Sequence, residues 1–102
     1  MRIPITPSNY SDLSFEALLN KLIELKFDWG FEIRLRTLYK RMHALLKIPE
    51  KEFKEKILNL ATTYSDIIEL RPGVYIDDIF IYDHPKREQY GYIVIKKEIP
   101  IV

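Results

Sequence analysis

The sequence predicts an α+β fold in which three helices are followed by a C-terminal β-hairpin. Three observations predict it. Apolar residues recur at three- and four-residue spacing in three stretches between residues 13 and 64. Beyond Asp66 the pattern changes to runs of β-branched and aromatic residues. Pro49 and Arg71-Pro72-Gly73 stand where a helix must stop and a strand must turn. A chain of 102 residues, 47% hydrophobic, can bury one core and has no room for a second. One domain is therefore expected over residues 1–102, with its core in 13–97 and short apolar tails at 1–10 and 98–102.

The first helix is expected over Leu13 to Phe27. Ser11, Asp12 and Ser14 suit the capping of its first amides, and Gly30 is a fitting terminator. Phe15, Leu18, Leu19, Leu22 and Ile23 form its apolar stripe, which leaves Glu16, Asn20, Lys21 and Glu24 outward. Phe31 to Arg36 alternates apolar and charged residues, as a half-buried strand requires. From Thr37 the helical period returns, with Leu38, Met42, Leu45 and Leu46 on one face, and this second helix ends near Ile48, before Pro49.

The third helix, residues 50–64, starts at that proline, with Glu50 and Glu52 favoured by the N-terminal dipole. Phe53, Ile57, Leu60, Ala61 and Tyr64 face the core, and Lys51, Glu55, Leu58, Asn59 and Thr62 lie on the opposite side. Strands are expected at Ile67 to Leu70, Val74 to Tyr82 and Tyr90 to Lys97, with residues 83–89 as the hairpin tip and Tyr82 facing Tyr90 across it. Ile99 to Val102 has no assigned element.

Composition narrows the function classes. No cysteine means no disulfide, no zinc-cysteine site and no thiol nucleophile. No stretch approaches the roughly 20 apolar residues of a membrane span, and Met1 to Tyr10 holds no apolar run of signal-peptide length, so a cytoplasmic protein is expected. Three Asn, one Gln and fifteen Ile beside 30% charged residues give a thermophile-like composition. The net charge is only +1, but residues 31–60 hold eight basic against four acidic side chains, about +4, while both flanks are negative.

No constellation for catalysis stands out, and no metal or cofactor site is expected. Asp77 and Asp78 are neighbours in an expected strand and would point to opposite faces. His43 and His84 lack a catalytic or metal-ligand partner at recognisable spacing. Gly30, Gly73 and Gly91 are scattered and form no phosphate loop. The tyrosines of the hairpin, Tyr75, Tyr82, Tyr90 and Tyr92, and Trp29 are read as packing residues rather than stacking platforms.

The order helix, short strand, helix, tight turn, helix, hairpin resembles the winged helix-turn-helix family. The residues that carry the resemblance run from Leu38 to Gly73. Leu45-Leu46-Lys47-Ile48-Pro49-Glu50-Lys51-Glu52-Phe53 reads as the turn, with Ile48 its buried aliphatic residue and Phe53 the first core residue of the next helix. The resemblance implies that this third helix enters the DNA major groove, with Lys51, Glu55, Asn59 and Thr62 at base edges. It also implies that Arg34, Arg36, Lys40, Arg41, Lys54, Lys86 and Arg87 meet phosphates, and that the tip serves as a wing.

Double-stranded DNA is accordingly the leading partner, bound by a homodimeric transcriptional regulator. Helix one or the apolar stretches Ile3 to Ile5 and Ile99 to Val102 would supply the dimer surface. The alternative is a protein-interaction module of the same fold, docking through the face around Leu58, because the third helix is nearly neutral.

Overall fold

The computed structural model describes residues 14–84 and 86–100. Leu13, expected to open the first helix, and Ile3 to Ile5 and residues 101–102, offered as dimer surface, lie outside these residues. Helix α1 spans Phe15–Lys26. Ser14 caps it, its Oγ accepting the Ala17 amide at 3.2 Å, which satisfies one of the otherwise unpaired donors of the first turn. Strand β1 is Glu32–Arg34, and α2 is Leu35–Leu46. Leu35 and Arg36, expected in the strand, open the helix instead: Leu35, Leu38 and Met42 lie at helical spacing and are all fully buried, a stripe an extended chain would break.

Helix α2 ends at Lys47, which adopts the left-handed conformation (φ 55°) and donates its amide to the His43 carbonyl at 2.8 Å. Ile48 and Pro49 complete a three-residue turn into α3, Glu50–Thr63. The Ile48 side chain is buried and its carbonyl accepts from His43 Nδ1 at 2.8 Å, so the turn is fastened from both sides. Phe53, Ile57 and Leu60 are the buried residues of α3, on the stripe the periodicity predicts.

Four antiparallel strands form the sheet. Strand β4 (Glu88–Ile95) is central; β1 pairs with one side of it, and β2 (Ile68–Pro72) with the other. Ile33 and Leu70 both lie opposite Ile93, and Ile68 opposite Ile95, which collects the aliphatic residues on the face covered by the helices. Strand β3 is only Ile81–Asp83, paired with β4 through Ile81 and Tyr90. The expected strand Val74 to Tyr82 is thus corrected: after Gly73 the chain leaves the sheet, forms a 3₁₀ turn at Ile76–Asp78, and rejoins β4 at Ile81. Tyr90 pairs with both Pro72 and Ile81, so β2 and β3 lie on opposite sides of β4 and the intervening segment crosses it. That crossing passes directly over Gly91, where a Cβ would stand 2.3 Å from the Asp78 carbonyl oxygen.

Strand β3 runs to Asp83 and β4 begins at Glu88, so the hairpin tip is shorter than the expected 83–89 and the return strand starts two residues earlier than expected. Tyr82 faces Gln89, so the expected Tyr82–Tyr90 pair does not form. The inward Ile81 and Tyr90 set the register, which turns Tyr82 outward against His84 at 5.6 Å.

Asn20, expected outward, is 4% exposed. Its Oδ1 accepts the Ile99 amide and its Nδ2 donates to the Ile99 carbonyl, both at 2.9 Å, so one side chain ties the C-terminal segment to α1. Ile99 is 1% exposed and is therefore core, not a free dimer surface. Asn20→Ala should leave both backbone groups unpaired in an apolar setting and cost about 2 kcal/mol. A lower urea midpoint with unchanged slope would show it; an unchanged midpoint would mean the segment is not held there.

Candidate nucleic-acid interface

The turn at Lys47–Pro49 and the core residues of α3 fix which side of that helix is left uncovered. Because Phe53, Ile57 and Leu60 point inward, Lys51, Glu55, Asn59 and Thr62, spaced four, four and three residues apart, form one exposed stripe. Within it the Thr62 hydroxyl donates to the Leu58 carbonyl at 3.0 Å, leaving its lone pairs for an incoming donor. Leu58 is half-buried and packs against the core, so it offers less of an apolar knob than the sequence suggests.

The hairpin runs beside this helix. One groove lies between the first half of α3 and β3, lined by Lys51, Lys54, Glu55, Leu58, Ile81 and Tyr82. A second continues along the C-terminal half, where Thr62 and Ser65 face Asp83, Lys86 and Tyr90 of the hairpin. Helix and hairpin thus form one continuous surface, and Lys86 at the tip belongs to it.

The expected phosphate-binding cations fall into two groups. Arg34, Arg36 and Lys54 are engaged internally: Arg34 pairs with Asp78 at 3.4 Å, and Lys54 pairs with Glu50 at 3.0 Å. Arg36 and Lys54 also approach the Phe80 ring from α2 and α3, at 5.4 and 4.7 Å from its centroid. Phe80 is a core residue whose ring lies 5.6 Å from Tyr39 and 6.1 Å from Phe53, so these cations sit over a fixed aromatic floor. Each retains donors for a second partner, but with reduced freedom.

Lys40, Arg41, Lys86 and Arg87 form the other group; all are exposed, and none makes an ion pair with a described residue. Helix α2 carries no acidic residue at all, so Arg36, Lys40 and Arg41 give it an undiluted positive side. Helix α3 holds three lysines and three glutamates and is neutral. The unpaired positive charge therefore lies on α2 and the hairpin tip rather than along the exposed stripe.

Sequence reasoning missed Lys47, which is exposed and equally unpaired at the head of the turn. A lysine immediately before a turn ending in proline was its only local signal. It also missed the cation-bearing role of Phe80. Arg71, bridging Glu32 at 3.1 Å and Glu69 at 3.3 Å, belongs to the sheet; the hydrogen bond to Glu32, then that to Glu69, pushes its pKa up and keeps it charged.

Among the described residues, no group of three or more His, Asp or Glu is placed to hold a metal ion, and no helix is long and apolar enough to cross a membrane. Comparison of the chain with protein-family models, with curated proteins and with solved structures gives no match in any of the three.

Proposed function

We propose that this chain is a winged helix-turn-helix protein that binds double-stranded DNA as a homodimeric transcriptional regulator. The observation that carries the reading is the exposed polar stripe of α3, which follows a three-residue turn and runs beside a hairpin whose tip carries the unpaired cations Lys86 and Arg87. In this reading α3 enters the major groove, Asn59 pairs with adenine, Lys51 donates to guanine, and Glu55 accepts from cytosine N4. Lys40, Arg41, Lys86 and Arg87 hold phosphates, a role that needs cations not already committed to carboxylates. One such unit reads only a short site, which is the reason for a dimer.

Fluorescence anisotropy with a random duplex tests this. Four phosphate contacts per protomer predict that, for a single protomer bound, raising salt from about 50 to 200 mM weakens binding roughly 100-fold. Lys40→Glu combined with Arg41→Glu should lower affinity at least about tenfold and reduce the salt slope by about two. No binding of the wild type at low salt would end the DNA reading.

One observation favours a protein-interaction module instead. Val74, Tyr75 and Ile76, in the segment that crosses β4, are 79%, 72% and 85% exposed, and consecutive apolar side chains that project this far mark association surfaces. Tyr75→Asp with Ile76→Asp should spare DNA binding under the leading reading and abolish partner binding under this one.

A further inference from the structure

Strand β2 lies at one edge of the sheet, paired with β4 on one side and with no described strand on the other. Two bonds at its ends fix which residues face outward. The Ile67 carbonyl accepts the Lys96 amide at 2.8 Å, and the Gly73 amide donates to the Gln89 carbonyl at 3.1 Å. Backbone direction alternates along a strand, so Glu69 and Arg71 also turn their backbone groups toward β4, and Ile68, Leu70 and Pro72 turn theirs outward. The Ile68 amide is taken by the Tyr64 carbonyl at 2.8 Å, and proline has no amide to offer. The amide left open on this edge is that of Leu70, in the middle of the five-residue strand, with its own carbonyl beside it.

An open edge is a template for another strand, and the side chains of β2 select which one. The strand reads Ile68-Glu69-Leu70-Arg71-Pro72. Turned about a two-fold axis at Leu70, it is complementary to itself: Leu70 meets Leu70, Ile68 meets Pro72, and Glu69 meets Arg71 on both sides of the axis. The Leu70 pair exchanges two N–H···O=C bonds, and the two Glu69–Arg71 pairs take the flanking positions, where opposed side chains come closest. The outer pairs of Ile68 with Pro72 call for no amide. Centring the axis on Glu69 or on Arg71 would instead set like charges opposite each other. Both charged side chains are exposed. Arg71 already bridges Glu69 at 3.3 Å and Glu32 at 3.1 Å, and its guanidinium keeps donors for a further carboxylate.

We propose that β2 is a dimerisation strand: two copies of this chain pair antiparallel through Leu70 and join their four-stranded sheets into one continuous sheet. The inference rests on the homodimeric part of the reading above and supplies its interface. The two-fold axis stands normal to the joined sheet, so both helical layers, each with its α3, lie on the same side of it, as the reading of two half-sites on one duplex requires.

Sedimentation equilibrium of the full chain, with folding checked by circular dichroism, tests the interface. The wild type should be a dimer. Glu69→Arg and Arg71→Glu each place two like-charge pairs across the axis, and each should weaken self-association at least about tenfold. An equimolar mixture of these two variants should associate about as tightly as the wild type, because every cross-strand pair in that heterodimer again joins opposite charges. In the wild type, exchange of the Leu70 amide with deuterium should slow as protein concentration rises. Single variants that dimerise as tightly as the wild type, or a mixture that fails to associate, would overturn the β2 interface while the homodimeric reading stands. A Leu70 amide protected equally at every concentration would mean that something other than a second copy covers the edge, and would overturn it too. A monomeric wild type would overturn both the interface and the homodimer, and duplex binding by that monomer, read by anisotropy, would leave the DNA reading in place.

Discussion

Phe53→Ala is expected to lower the stability of this protein by about 4 kcal/mol, a fall in melting temperature of roughly 20 °C. The side chain is fully buried where all three helices and the crossing segment meet. Its ring stands 5.9 Å from Phe15 of α1, 5.2 Å from Tyr39 of α2 and 6.1 Å from Phe80 ahead of β3. Truncation loses the transfer energy of the ring and leaves a cavity walled by three other rings, which cannot all collapse inward. Phe53→Leu, which fills part of that space, should cost about a third as much. Denaturant unfolding followed by circular dichroism measures both, and a loss below about 2 kcal/mol for the alanine variant would mean that these rings do not pack on one another. The consequence reaches the surface, because Phe80 is the floor on which Arg36 and Lys54 rest.

Gly91→Ala should cost about 3 kcal/mol or more, by a different route. The added methyl would meet the Asp78 carbonyl oxygen at 2.3 Å and the Gly73 Cα at 3.0 Å, and neither is a side chain that can rotate away. Relief requires lifting the crossing segment off β4, which also pulls on the Arg34–Asp78 ion pair. Gly30→Ala provides the comparison. Gly30 has φ +81°, and a methyl added there would meet nothing within 4 Å, so only the left-handed penalty of about 1–2 kcal/mol applies. Equal melting losses for the two variants would show that the chain does not cross β4 at Gly91.

Much of the architecture is legible in the residues taken alone. The apolar spacing of Phe15 to Ile23, of Leu38 to Met42 and of Phe53 to Leu60 marks three helices, and the three-residue turn with its buried Ile48 follows from Leu45 to Phe53. The exposed stripe Lys51, Glu55, Asn59 and Thr62 follows from the same spacing, because a helix that buries one face must show the other. The expectations that failed share a cause. Val74, Tyr75 and Ile76 have high strand propensity, yet propensity describes how a side chain suits a pleated, half-covered surface and says nothing about whether such a surface is available. Asn20 is polar, and polarity alone places it outward; only the distant Ile99 backbone, meeting both ends of its amide, makes burial favourable.

Local periodicity, with one buried stripe per helix, is enough to specify the helices, the turn and the uncovered face of α3, and these were set before any long-range contact is considered. Three features were settled by the folded arrangement: which cations remain unpaired, that β2 and β3 flank β4 from opposite sides, and that Lys47 and Arg87 sit in left-handed backbone. The first two depend on partners far apart in the chain, Arg34 with Asp78, Pro72 and Ile81 with Tyr90, Gly91 with Asp78, and a contact between distant residues leaves no periodic trace. The third depends on how tightly a helix end and a hairpin tip must turn to keep α3 and β4 in place, which the identity of a lysine or an arginine does not announce.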